Sequence, residues 1–269
     1  MKTAVIVTTY NRPDALAAVL AGYRAQSTAD FELLVADDGS ADATRAAVAT
    51  FTASAPFVVK HVWHEDRGFR AAAIRNRALA ATQADYIVFS DGDCVPAHDF
   101  VARHTALAER GWFVAGNRVL LDAAFTQRAL AHTLPLHAFG ALRWLAAWMR
   151  RDINRWLPLL RLGDAAWRKA APARWAGVKT CNLAVWRDDL VRVNGFDEAY
   201  SGWGLEDSDL VIRLLHASVR HKSGRFAVPV FHLWHAENDR SRLTENQRRL
   251  DELLASNAVR AAQGLDQYA

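Results

Sequence analysis

Ala84-Asp85-Tyr86-Ile87-Val88-Phe89-Ser90-Asp91-Gly92-Asp93-Cys94-Val95-Pro96 joins a short apolar run to two aspartates separated by one glycine. Tyr86 to Phe89 has strand character and ends abruptly in Asp91-Gly92-Asp93. A buried strand that carries two carboxylates to its carboxyl end is a poor core element. It suits a divalent cation held against a diphosphate, because hard cations take oxygen ligands and keep positions open for phosphate. Taken alone, the same residues also read as an acidic β-turn. Their surroundings decide between the two.

Three apolar runs precede this stretch: Ala4 to Thr9, Phe31 to Ala36 and Phe57 to Trp63. Helical patterns lie between them, from Ala15 to Gln26 behind Pro13, from about Ala41, and from Gly68-Phe69-Arg70 through Ala81. Proline near a helix start fits its preference for the first turn. Strand and helix alternate with short connections, which predicts an α/β fold with a mostly parallel central sheet flanked by helices. Three strands end in polar clusters: Thr8-Thr9-Tyr10-Asn11-Arg12, Asp37-Asp38-Gly39-Ser40 and Asp91-Gly92-Asp93. Ligands of open α/β sheets bind outside those ends. No glycine fingerprint of a dinucleotide fold or a P-loop follows the first strand.

The chain has 269 residues, 51% of them hydrophobic, enough for a sizeable core. Two cysteines, Cys94 and Cys181, allow at most one bridge and have no metal-ligand spacing, so a reducing compartment is expected. The N-terminal apolar run is broken by Pro13 and reads as a first strand, not a signal peptide. No run approaches the roughly 18 apolar residues of a membrane span, so a cytoplasmic location is expected. The net charge of +4 is unevenly spread: Val119 to Ala176 holds nine Lys/Arg against three Asp, and five of the ten tryptophans. Within it Phe139, Leu142, Leu145, Met149, Ile153, Trp156 and Leu160 approach helical spacing, with Pro135 and Pro158 as breaks. Two readings stand for this segment. One is an amphipathic helical hairpin covering the sheet; the other is a basic, Trp-bearing surface at a membrane interface or on a lipid-linked acceptor. No nucleic-acid-binding motif accompanies the basic residues.

Trp112 to Leu121, at the start of that segment, and Thr180 to Trp186, after it, read as strands, and Ala227 to Trp234 as a last strand. Ser241 to about Gln263 reads as a charged, solvated helix. Gly202-Trp203-Gly204-Leu205-Glu206-Asp207 runs into a helix to Ala217. At 100° per residue, Leu210, Val211, Ile212, Leu214 and Leu215 fill one arc, and Asp207 falls in its middle. Its carboxylate is expected to point inward, into surroundings that penalise charge. The helix macrodipole favours acids in a first turn, but that does not account for one facing inward. Glu206 falls at the polar edge. His232 and His235 stand three apart at a strand end and can meet one ion only if the chain turns there. With the Asp-Gly-Asp they suggest a mixed oxygen and nitrogen site suited to manganese.

In order, Thr8-Thr9-Tyr10-Asn11-Arg12-Pro13, Asp37-Asp38-Gly39-Ser40, Gly68-Phe69-Arg70 with Arg75-Asn76, Asp91-Gly92-Asp93, the Trp203-to-Asp207 segment and His232/His235 resemble a family 2 glycosyltransferase of the GT-A fold. The second half is similar to β-1,4-galactosyltransferases and bacterial chondroitin-type polymerases. The resemblance covers about 1–118 and 178–240, and with it the chain is expected to form one GT-A domain over 1–269: a nucleotide-sugar half (1–118), a basic Trp-rich helical insertion (119–176), an acceptor and metal half (177–240) and a C-terminal helix (241–269). It implies a UDP-sugar donor and Mn²⁺ or Mg²⁺. Thr8, Tyr10 and Arg12 would line the nucleotide pocket, Asp38 would read the uridine, Arg75 would face the donor phosphates and Asp91 would lie against the ribose and metal shell. Asp93, His232 and His235 would hold the metal. The galactosyltransferases carry Met and His at that last spacing, so His232 departs from their pattern.

An acceptor hydroxyl needs a carboxylate within hydrogen-bond reach, worth about 10² to 10⁴ in rate. Asp207 would be that base, with Trp203 and Glu206 holding the acceptor sugar. A base opposite the leaving group means inversion. The expected activity is transfer of a hexose or N-acetylhexosamine to a glycan or lipid-linked acceptor in bacterial surface polysaccharide or lipopolysaccharide synthesis, with peripheral contact to the inner face of the cell membrane through 119–176. A retaining UDP-hexosaminyltransferase of related fold would carry Asn at position 207. A nucleotidyltransferase would not need the acceptor segment, and an inactive membrane-associated scaffold would have lost the acids.

Overall fold

The computed structural model describes residues 1–236 and 239–268. In chain order its elements are β1 (Thr3–Thr9), α1 (Pro13–Arg24), β2 (Glu32–Asp37), α2 (Asp42–Thr52), β3 (Val59–Trp63), α3 (Ala71–Ala80), β4 (Tyr86–Asp91) and β5 (Cys94–Pro96). There follow α4 (Phe100–Leu107), β6 (Trp112–Ala115), β7 (Asn117–Leu120), α5 (Ala123–Ala131), α6 (Ala141–Met149), β8 (Asn182–Trp186) and α7 (Arg187–Arg192). The last are α8 (Glu206–His216), β9 (Arg220–Ser223), β10 (Pro229–His232) and α9 (Leu243–Leu254). Seven strands form one sheet in the order β3-β2-β1-β4-β8-β6-β9, and β5, β10 and β7 form a second.

The first four strands run parallel, as the alternating pattern predicts. Successive residues of β1, β2 and β4 go to opposite faces. Val5, Val7, Leu33, Val35 and Val88 join one core with α1, while Ala4, Ile6, Leu34, Ile87 and Phe89 join another with α3 and α8. Both faces are covered, which explains why these strands read as unbroken apolar runs. The chain steps from β1 outward to β2 and β3, then back across to β4, so the strand order reverses between β1 and β4. Ligands bind at such switch points. Thr8 pairs with Asp91 in register there, and the Gly92 amide donates to the Thr8 carbonyl at 2.7 Å.

Three expectations are corrected. Trp112 to Leu121 is not one strand: it divides at Gly116 between the two sheets. The Asn182 side chain lies 2.3 Å from where a Cβ would stand on Gly116, so only glycine lets the chain change sheets there. The expected helical hairpin over 119–176 is likewise not formed. Val119 and Leu120 belong to β7, α6 stops at Met149, and Arg151 adopts a left-handed φ of +64°. Ile153 then bridges Leu121, so local helical spacing yields to strand pairing. Besides α5 and α6, the helical pieces among the described residues of this segment are short 3-10 turns at Leu136–Ala138, Leu157–Leu159 and Ala166–Lys169. Finally, the C-terminal helix ends at Leu254, and the chain folds back so that the Asp266 amide donates to Asn194 Oδ1 at 2.9 Å. Among the described residues, no helix is long and apolar enough to cross a membrane.

Candidate active site

At the carboxyl ends of β1 and β4 lies a cleft of about 530 Å³. All twelve residues singled out from the sequence line it: Thr8, Tyr10, Arg12, Asp38, Arg75, Asp91, Asp93, Trp203, Glu206, Asp207, His232 and His235. They come from both sheets, from α3, from the start of α8 and from adjoining loops. Gly92 stands between the two aspartates because a Cβ there would meet Thr9 Oγ1 at 2.8 Å and Thr9 Cβ at 2.9 Å. Any larger residue would push the Asp91–Asp93 turn away from β1.

Arg75 ties the cleft's floor together. Its Nε donates to Thr8 Oγ1 at 3.0 Å, its Nη1 to Glu206 Oε1 at 3.0 Å and its Nη2 to Asp91 Oδ1 at 3.2 Å. Arg75, expected to face donor phosphates, lines the cleft with its guanidinium buried and engaged by three side chains. Glu206, placed by helical spacing at a polar edge, is buried as well, because the wheel does not register what packs against the helix's first turn. Burial raises the Glu206 carboxyl above its ordinary range, Asp207 adds to this, and Arg75 opposes it. Burial pushes Asp91 up to about 6 against the pull of Arg75, with Asp93 adding to the rise.

Asp207 is 6% exposed but does not point into the apolar core; it lines the cleft. Its Oδ1 accepts from the Ser208 amide at 2.8 Å, and Oδ2 lies 3.5 Å from Lys179 Nζ. Gly202, Gly204 and Leu205 all have left-handed φ, of +72°, +103° and +78°. A leucine there is strained, and the sharp turn it completes delivers Glu206 and Asp207 to the cleft. The Arg240 guanidinium lies over the Trp203 indole, 5.1 Å from the ring centroid. The flat face that the sequence offers to a sugar thus carries a cation.

On the opposite wall the chain does turn after β10. His232 and His235 come together with ring centroids 5.2 Å apart, and their Nε2 atoms lie 3.7 and 3.4 Å from Asp93 Oδ2. His235 Nδ1 donates to the Ala236 carbonyl at 2.6 Å, which turns Nε2 toward the carboxylate. Burial favours the neutral form of His232, lowering its pKa. A carboxylate with ring nitrogens turned toward it is a donor set that fits a cation. Donors about 2.1 Å from a first-row ion stand roughly 3.0–3.5 Å from one another; each histidine lies close to that distance from Asp93, and Asp93, Cys94 and His232 have ligand atoms that all fall within 4.8 Å of one another. Cys94 Sγ is near Asp93 as well, but burial raises this thiol well above its usual range, with Cys181 adding to the rise, and keeps it protonated.

Asp38 is oriented from behind: Oδ1 meets His64 Nε2 at 2.5 Å and Oδ2 accepts from the Arg70 amide at 2.8 Å. Tyr10 is half exposed, and its hydroxyl donates to Asp66 Oδ2 at 2.8 Å. Lys179, Arg118 and Trp234 also line the cleft and were not picked out in the sequence. Lys179 precedes a strand, and in an all-parallel sheet it would lie at the far edge. β8 runs antiparallel to β4, however, which brings its amino end to the cleft.

The family model described as glycosyl transferase family 2 matches residues 4–163, and that described as the N-terminal domain of galactosyltransferase matches residues 165–235. Validoxylamine A glucosyltransferase of Streptomyces hygroscopicus subsp. jinggangensis is 30% identical over 232 residues, covering 78% of this chain and 50% of the relative. Chondroitin synthase of Escherichia coli is 27% identical over 231 residues, 78% of this chain and 32% of that protein. The chain thus spans half the length of the first of these curated relatives and less of the second. Among solved structures, S. aureus TarS in complex with UDP superposes with a TM-score of 0.62 at 14% identity, over 100% of this chain and 68% of that one. Mannosyltransferase PcManGT from Pyrobaculum calidifontis, in complex with GDP-Man and Mn²⁺, gives 0.61 at 21%, over 94% and 63%. The fold is that of the GT-A glycosyltransferases.

Proposed function

The chain belongs to glycosyl transferase family 2, and on that premise we propose that it transfers a hexose or N-acetylhexosamine from a UDP-sugar to a saccharide hydroxyl, free or lipid-linked, with inversion. The observation that carries this reading is the pairing across one cleft of Asp207 with the Asp93, His232 and His235 cluster. Those three residues would hold Mn²⁺ or Mg²⁺. Bound there, the cation would offset the charge developing on the nucleoside diphosphate as the glycosidic bond breaks.

The chain's own residues divide the remaining work. Asp38, fixed by His64 and the Arg70 amide, and Tyr10, fixed by Asp66, would receive the nucleoside base, with Thr8 and Arg12 beside them. Asp91 would lie against the ribose, held by Arg75. Asp207 would accept the acceptor's proton as its oxygen attacks the anomeric carbon from the side opposite the diphosphate. Trp203 would flank the acceptor, and Glu206, clamped by Arg75, would keep the start of α8 at the cleft floor. Surface polysaccharide or lipopolysaccharide synthesis at the cytoplasmic face of a bacterial membrane is the setting this chemistry suits.

A screen of UDP-sugars tests the reading. Release of UDP that needs Mn²⁺ and stops with EDTA is expected. Turnover that persists in EDTA, or α-linked and β-linked donors yielding products of unchanged anomeric configuration, would overturn it.

A further inference from the structure

Helix α6 is apolar on two opposite sides. Trp144 and Ala147 are buried, and the Trp144 ring stacks on Phe231 with centroids 4.2 Å apart and planes at 24°. On the other side Leu142 is 83% exposed, Met149 72% and Leu145 37%. Residues three, four and seven apart share a helix side, so these three form one stripe facing outward. A surface helix ordinarily turns polar residues to water. Leu157, Leu160, Leu162 and Trp167, which follow in the chain, are exposed too.

Arginines border the stripe. Arg143, Arg150, Arg151 and Arg155 are all exposed. The one acid between positions 141 and 157 is Asp152, which is buried and paired with Arg128 at 2.7 Å and Arg150 at 2.9 Å. The result is an apolar surface with a cationic rim. Beside it opens a groove of about 680 Å³, walled by Trp148, Met149 and Ile153, and Leu120 and Leu121 line both this groove and the cleft. A second copy of the chain fits the surface poorly, because a two-fold contact would set arginines against arginines.

We propose that this face docks on an anionic lipid surface, with Leu142, Leu145 and Met149 in the acyl boundary and the arginines among the headgroups. An apolar side with basic flanks is what such interfacial helices require. The groove then runs from the lipid surface to the cleft, so that an acceptor carried on a lipid reaches Asp207 without leaving the interface. That last consequence rests on the glycosyl-transfer reading of the cleft; the docking itself does not. Trp144, which composition alone would count among the interfacial tryptophans, is part of the core instead.

Co-sedimentation with vesicles tests this. The chain is expected to partition onto phosphatidylcholine vesicles containing phosphatidylglycerol and far less onto phosphatidylcholine alone, with binding weakened by salt. Leu142→Glu with Met149→Glu should abolish it. Arg143→Ala with Arg155→Ala should weaken it roughly thirtyfold, at about 1 kcal/mol for each basic residue near an anionic surface. All four positions are exposed and outside the cleft, so UDP-sugar hydrolysis without vesicles should stay at the parent level. Equal partitioning of parent and variants, or variants that instead dissociate a dimer of the parent in sedimentation velocity, would overturn the proposal. Loss of hydrolysis in an Asp207 variant that still binds vesicles bears on the cleft alone.

Discussion

Arg75 donates to Glu206 Oε1 at 3.0 Å across 131 positions of sequence, and the same guanidinium reaches Asp91 Oδ1 at 3.2 Å. One buried cation thereby joins α3, the end of β4 and the first turn of α8. Removing one partner of a buried pair leaves an uncompensated charge and costs about 3–5 kcal/mol. Arg75→Met should therefore lower stability by that order in urea unfolding, and adding Glu206→Gln should recover part of it. Arg75→Lys should fail to substitute, since an ammonium does not span three acceptors in one plane. Additive losses in the double variant would mean that the two residues are not coupled.

Asp207→Asn should depress transfer by about 10² to 10⁴. UDP affinity in the presence of Mn²⁺, read by calorimetry, should stay nearly unchanged. A comparable loss of nucleotide affinity would place Asp207 on the donor side of the cleft.

For the Asp93, His232 and His235 cluster, the orientation set by the His235–Ala236 contact makes a specific demand. His235→Ala should raise the Mn²⁺ concentration for half-maximal UDP-sugar hydrolysis by about tenfold or more, an effect on the order of those seen when the shell around a metal is disturbed. His232→Ala should act in the same direction. An unchanged Mn²⁺ titration for both would leave the histidines without a metal role.

His104, which is not among the residues lining the cleft, supplies a pH dependence of stability. It is fully buried against Phe100, and its Nε2 donates to Asn182 Oδ1 at 3.0 Å. Burial lowers its pKa from 6.5 to about 4, the Asn182 contact opposing. Between those values the unfolded chain binds a proton that the native chain does not, so stability falls as pH drops from 6.5 toward 4. The loss approaches about 3 kcal/mol. His104→Gln, which keeps an N–H for Asn182, should flatten the stability profile over that window. Parallel profiles for parent and variant would refute the assignment.

Trp144 and Trp148 lie on the same short helix and should behave differently. Trp144→Ala removes a buried ring stacked on β10 and should cost about 3–5 kcal/mol. Trp148→Ala, where the ring is about two-fifths exposed and lies against Trp156, should cost less, on the order of 1 kcal/mol. Equal losses in thermal unfolding would mean that α6 is not anchored through Phe231.

Much of the fold was legible because it is encoded locally. Unbroken apolar runs such as Val5–Val7 and Ile87–Phe89 could only be strands buried on both faces, and their polar ends marked the ligand edge. The Gly-flanked Glu206-Asp207 pair and the histidines at 232 and 235 were legible as residue types that a core does not need. What the sequence leaves open is direction and pairing. Nothing in Thr180–Trp186 announces that β8 runs against its neighbours, yet that reversal brings Lys179 to Asp207. Helical spacing from Phe139 to Leu160 cannot register that Ile153 will pair with Leu121, since a strand partner 32 positions away outweighs one more helical turn. The polar side assigned to Glu206 failed for the same reason. A helical wheel knows its own residues, whereas burial depends on Arg75 arriving from another helix. Local patterning and the family resemblance thus picked out twelve residues that line one cleft; long-range packing alone decided which of them meet and which face the outside.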